Sequence, residues 1–123
     1  MMKTTSWTTR AGKDNQRIFR HMKKTDKSAD GTSFHDHTFI ATVDDLRHVL
    51  GEPDFESNDG EDKNNFDWIM ETEDGEVFTV YDWKEYRPLA EDEVIEWHIG
   101  GRSGLTTEKA LLEIREALRL YTL

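Results

Sequence analysis

Apolar and polar positions alternate most clearly in the middle of the chain. Phe66, Trp68 and Met70 are interleaved with Asp67, Ile69 and Glu71, and Glu73-Asp74-Gly75-Glu76 follows. A period of two marks a strand, and Asp-Gly between two such runs marks a tight hairpin. Val77, Phe78, Val80, Tyr81 and Trp83 form the returning run, so Phe66–Glu73 and Glu76–Trp83 are expected to pair antiparallel around Asp74-Gly75. A third strand is predicted over Val94–Ile99, after a connection from Arg87 to Asp92. Both faces of this meander carry aromatic residues. One face is therefore expected to lie under helices, and the other is a candidate interface.

The flanking segments complete the layout. Ser33–Ala41 reads as a strand centred on Phe39 and Ile40. Thr42 and Asp45 stand in capping-box spacing ahead of Leu46, Val49 and Leu50, and Gly51 and Pro53 end that helix. A last helix starts from a Thr106 or Thr107 cap and runs to about Tyr121, with Ala110, Leu111, Ile114, Ala117 and Leu118 at helical spacing. Leu46, Val49, Leu50, Ile114 and Leu118 are expected to share one core. The order β-α-β-β-β-α predicts an α+β fold, an antiparallel sheet with helices packed on one face. The domain spans 33–123. Residues 1–32 read as a basic N-terminal arm, with a short helix over Asp14–Lys24 carrying Ile18, Phe19 and Met22, then a loop from Lys23 to Gly31.

Charge sharpens this division. Residues 1–34 hold 8 Lys/Arg and 3 Asp/Glu, whereas residues 35–123 hold 8 Lys/Arg and 23 Asp/Glu. A body this acidic repels bare nucleic acid and anionic lipid and attracts basic protein surfaces. The chain has no cysteine, which removes disulfides, thiolate metal sites and cysteine nucleophiles. No apolar run approaches the length of a membrane helix, and no secretory signal is visible at the start, so a cytoplasmic location is expected.

Motifs for chemistry are incomplete. His35-Asp36-His37 would set two imidazoles on one strand face about 7 Å apart, but no full ligand set accompanies them. The loop with Asp54, Glu56, Asp59, Glu61 and Asp62 departs from a calcium loop at its glycine and at its twelfth position. Gly100, Gly101, Arg102, Ser103 and Gly104 join a strand to a helix and form a candidate anion-binding turn. Tyr81, Asp82, Trp83, Lys84 and Trp97 are candidate interaction residues, because aromatic and charged side chains on a sheet make strong interface contacts. No catalytic residue, metal site or cofactor is expected.

The block W-I-M-E-T-E-D-G-E-V-F-T-V-Y-D-W-K followed by I-E-W-H-I-G-G, within Trp68–Gly101, resembles small accessory proteins of bacterial viruses. The resemblance is carried by Asp74-Gly75, Tyr81-Asp82-Trp83-Lys84 and Trp97 to Gly101. It implies a protein made during infection and acting on a host system in the host cytoplasm. The expected function is a non-catalytic binding or inhibitor protein. Its acidic surface would occupy a basic surface of a host protein, a nucleic-acid-binding or defence factor, as a partial mimic of DNA phosphate charge. The alternatives are a small phosphate- or ligand-binding domain or enzyme at Gly100–Gly104, and a homo-oligomeric module, such as a homodimer, joined through the aromatic sheet face.

Overall fold

A computed structural model of the chain describes residues 22–123. Most of the helix expected from Asp14 lies outside these residues. Its last two positions, Lys23–Lys24, form a strand instead, β1. The further elements are β2 (Ser33–Ala41), α1 (Val43–Leu50), β3 (Phe55–Glu56), β4 (Phe66–Glu71), β5 (Val77–Tyr81), β6 (Ile95–Gly101) and α2 (Gly104–Tyr121). The architecture is α+β, with a six-stranded antiparallel sheet in the order β1-β4-β5-β6-β2 and β3 also pairing with β4.

The hairpin forms where Asp74-Gly75 places it. Trp68 lies opposite Val80 and Met70 opposite Phe78. Gly75 takes a φ of 85°, which a side chain disfavours, and its amide donates to the Thr72 carbonyl. The register sends Phe66, Trp68, Met70, Phe78, Val80, Trp97 and Ile99 to one face, where all are buried. α1 and α2 cover that face with Leu46, Leu50, Ala110 and Ile114, and Val49 and Leu118 pack at its margin. Burying each large apolar side chain contributes roughly 1.5–3 kcal/mol. Trp68 and Trp97 meet edge to face at 5.5 Å between ring centroids.

The two tryptophans also position α1. Trp68 Nε1 donates to the Gly51 carbonyl at 2.8 Å, and Trp97 Nε1 donates to the Ala41 carbonyl at 2.9 Å. These carbonyls flank the two ends of the helix, so the core satisfies its own indoles while pinning α1. Locally, Asp45 N donates to Thr42 Oγ1 and Thr42 N donates to Asp45 Oδ2, the expected reciprocal cap.

α2 begins earlier than expected. Ser103 is its cap and accepts from the Thr106 amide. Thr106 and Thr107 lie inside the first turns, where their hydroxyls donate to Glu76 and to the Gly104 carbonyl. β6 runs two residues past Ile99 because Gly100 and Gly101 belong to the strand. Residues 22–32 do not stand off as an arm. Met22 is in the core, Lys24 Nζ bonds Asp54 at 3.0 Å, and Lys27 Nζ donates to the Gly75 carbonyl at 2.8 Å. The Arg102 guanidinium donates to the Ser28 and Asp30 carbonyls, tying this segment to the end of β6.

Candidate functional site

With both helices on one face, the described residues leave the other face of the sheet to the loop of residues 25–32 at one end and to no element at the other. The same register that buries Trp68 and Trp97 sends Asp67, Ile69, Thr79, Tyr81, His98 and Gly100 outward. Phe34, opposite Gly100, and Ile40, opposite Glu96, join them from β2. Trp83 follows β5 by two residues and keeps to this side.

Four rings meet here. Phe34 stacks on His98 at 4.5 Å, Tyr81 lies 5.7 Å from His98, and Trp83 lies 6.1 Å from Tyr81 and 6.4 Å from His98. The cluster is solvent-facing, with Phe34 39% and Trp83 41% exposed and Ile40 beside it at 69%. The Lys63 and Lys84 ammonium groups sit 5.9 and 5.3 Å from the Trp83 ring centroid, as the negative face of an indole favours.

Between this cluster and the 25–32 loop is a hollow of about 300 Å³ lined by Asn64, Asp67, Thr79, Tyr81, Trp83 and Gly100 among others. A Cβ at Gly100 would meet Thr79 Oγ1 at 2.5 Å and Tyr81 at 3.5 Å, so the floor stays open only with glycine there. Asp67 is the distinctive group. Its Oδ2 accepts from Asn64 Nδ2 at 3.1 Å, while its Oδ1 is enclosed and takes no hydrogen bond. Burial, aided by the negative charges of Asp54 and Asp82, pushes its carboxyl up to about 6 despite the Asn64 bond. Burial and the same Asp67 also push the Tyr81 phenol up.

The sequence-stated candidates separate on this map. Tyr81, Trp83 and Lys84 stand on the outer face. Trp97 does not; it is fully buried against Trp68 and Phe66, and no partner reaches it. Asp82 is buried too. Its oxygens accept from the Asn65 and Phe66 amides and from Asn65 Nδ2, at 2.8–3.1 Å, closing the loop that precedes β4. In the acidic loop, Asp54 is committed to Lys24 and to the Ile69 amide, and Glu56 to Arg47. Asp59 accepts from the Glu61 amide. Glu61 and Asp62 make no ion pair among the described residues, and both are exposed.

The glycine-rich segment is built into the packing of β6 against its neighbours. Gly100 and Gly101 are strand residues, and a Cβ at Gly101 would meet Thr107 at 2.8 Å, so this glycine admits α2 against β6. Arg102 is spent on the 28–30 carbonyls, and the first turn of α2 already holds the Glu76 carboxylate through Thr106. His35 and His37 are held by the Gly101 carbonyl and the Thr107 hydroxyl. Among the described residues no group of three His, Asp or Glu side chains is arranged to hold a metal ion.

Phe34 and Asp67 are site residues that sequence reasoning did not single out, and His98 entered it only within the run from Trp97 to Gly101. Asp67 alternates with Phe66 and Trp68, which is enough to turn it outward. Nothing local says that one of its oxygens is left alone.

The fold and site define a two-layer α+β domain with helices on one face and a ring cluster on the other. The chain matches no family model, no curated protein and no solved structure. No helix among the described residues is long and apolar enough to cross a membrane.

Proposed function

We propose that this chain is a non-catalytic binding protein that docks on a basic protein surface through its outer sheet face. The observation that carries this reading is the exposed cluster of Phe34, Tyr81, Trp83 and His98, extended by Ile40, on the sheet face that neither described helix covers. Aromatic side chains at the centre of a contact supply most of its binding energy, and charge around them sets approach and orientation. Glu96 on β6 and Asp62 beside Asn64 flank the cluster, and neither forms an ion pair among the described residues. The wider acidic body therefore steers a basic partner, while the rings hold it. The resemblance to accessory proteins of bacterial viruses supports a host protein as that partner, one whose basic surface ordinarily meets nucleic acid.

The test is capture of bacterial proteins on the immobilised chain. The wild type is expected to retain a discrete partner at low salt and to lose it as ionic strength shortens the screening length below about 4 Å. The pair Phe34→Ala and Trp83→Ala should abolish capture with the circular dichroism spectrum unchanged. Retention of the same partner by that folded variant would remove the outer face from the contact.

A further inference from the structure

We propose that the hollow beside Tyr81 and Trp83 receives one alkyl-guanidinium or alkyl-ammonium group, held by the Asp67 carboxylate. The group is the end of a partner's Arg or Lys side chain, or a free small amine of the same chemistry. The first source rests on the binding-face reading above, whereas the site itself does not.

The hollow is small. At about 300 Å³ it stands at the lower limit of ligand sites, which suits a charged head on a short methylene stem. Its chemistry selects sign. Asp67 Oδ1 is enclosed with its hydrogen-bonding capacity unused, and leaving a buried acceptor unmet is costly. Asp54 and Asp82 add negative potential at the same carboxylate, so an anion is repelled and a cation with N–H donors is drawn in.

The walls agree. Tyr81 and Trp83 line the hollow, and Trp83 already attracts two ammonium groups of its own chain. A planar guanidinium matches a carboxylate on one side and an aromatic face on the other. The absent Cβ at Gly100 keeps the space open, with the Thr79 hydroxyl as a further polar partner at the floor.

A larger hollow, about 530 Å³ along α2 between Glu73, Leu105, Leu112 and Glu113, has no comparable atom. There the Glu113 carboxylate accepts from the Glu73 amide.

The groups facing Asp67 decide its pH behaviour. They are Asn64 from the preceding loop, Asp54 beside β3, Asp82 and Tyr81 from β5 and its end, and Asp62 and Lys63 lining the adjoining hollow. Of these, the carboxylates favour protonation of Asp67, and only Asn64 donates to it. A carboxyl titrating near 6 is mostly ionised at pH 7 and mostly protonated at pH 5.

The experiment titrates the full chain with agmatine, which carries both cationic head groups, and follows the Gly100 amide and the Trp83 indole by NMR. Saturable shifts at both probes are expected at neutral pH. Affinity should fall about tenfold between pH 7 and pH 5 as Asp67 takes up its proton. Asp67→Asn, nearly the same shape without the charge, should weaken binding about tenfold or more.

Absence of saturable shifts at neutral pH, or equal affinity in Asp67→Asn, overturns the site. So does a flat pH profile in the wild type, a readout that needs no variant to fold. If agmatine also displaces captured partner and Asp67→Asn loses capture, the occupant is a partner side chain. Agmatine binding with capture intact in Asp67→Asn supports the site with a free amine as its ligand. Loss of capture in Trp83→Ala alongside no agmatine binding leaves the docking face standing and overturns the cation site alone.

Discussion

Asp67 and Asp82 share one corner of the sheet with opposite fates. Asp82 is ringed by donors from Asn65 and Phe66 and acts as a structural tie. Asp67, one strand position away from Phe66, keeps an oxygen with no donor at all. Its carboxyl titrates near 6 in the folded protein, above its ordinary value near 3.8. The folded state therefore holds this proton more tightly than the unfolded chain does. The stability it contributes is fully present below about pH 4 and is lost as pH rises through 6. Two pH units of this kind correspond to on the order of 2–3 kcal/mol. Asp67→Asn removes the titration, so the variant should be more stable than the wild type at pH 8 by up to that amount and nearly equal at pH 4. Urea unfolding at the two pH values measures it; a gap of the same size at both would show that the charge is not the cause.

Residues that the sequence identified and those it missed differ in one respect. Tyr81 and Trp83 could be paired by parity, being two apart. Trp97 carries the same residue type and the opposite orientation, and only the register of β6 against β5 decides that. His98 follows from Trp97 once Trp97 is known to face the core.

At the scale of elements, α1 was legible throughout because its signals are local. Thr42, Asp45, Gly51 and Pro53 lie within a dozen residues, and the reciprocal cap forms as spaced. Thr42→Ala should cost about 1 kcal/mol, seen as a lower urea midpoint at unchanged slope. A loss well below half of that would mean that the two indole bonds to Ala41 and Gly51 hold the helix without its cap.

The start of α2 was less legible. Three hydroxyl residues, Ser103, Thr106 and Thr107, compete for the cap, and Glu76, 30 positions away in sequence, takes the second of them. β1 was not legible at all. Two lysines have no strand signal of their own; they extend by pairing with Glu71 and Met70 along the edge of β4, with Glu71 and Asp54 meeting their ammonium groups. The glycines of 100–104 misled for a related reason. They look like a turn, yet two of them serve the close approach of Thr79 and Thr107 inside packed layers.

At the scale of the whole molecule, the charge surplus is less free than the composition suggests. Arg47 alone binds Glu52, Glu56 and Glu91, at 2.5–3.0 Å, and these three carboxylates hold its guanidinium charged over a very wide pH range. Arg87 joins Glu85 and Glu93, and Lys109 joins Asp74. Such half-exposed networks are screened by salt, so their value lies in fixing loops more than in stability. Glu61, Asp62 and Glu96 lie outside these networks, with no ion pair among the described residues.

The two ends of the sheet have a consequence for how this protein behaves when crowded. An open strand edge is a template on which further chains stack, and long, regular, uncharged edges nucleate fibres. Here one end is shared by β1 and β3, each only two residues long, the first made of lysines. The other is β2, nine residues long, but broken between Phe34 and Thr38, where Asp36 turns to a φ of 68° and the pairing with β6 shifts. A second copy cannot lay a continuous ladder along such an edge. Millimolar solutions at neutral pH should therefore stay free of thioflavin-binding material for days. Deleting Asp36 and His37, which straightens the edge, should shorten the time to fibre formation; an unchanged lag would assign the protection to charge repulsion instead.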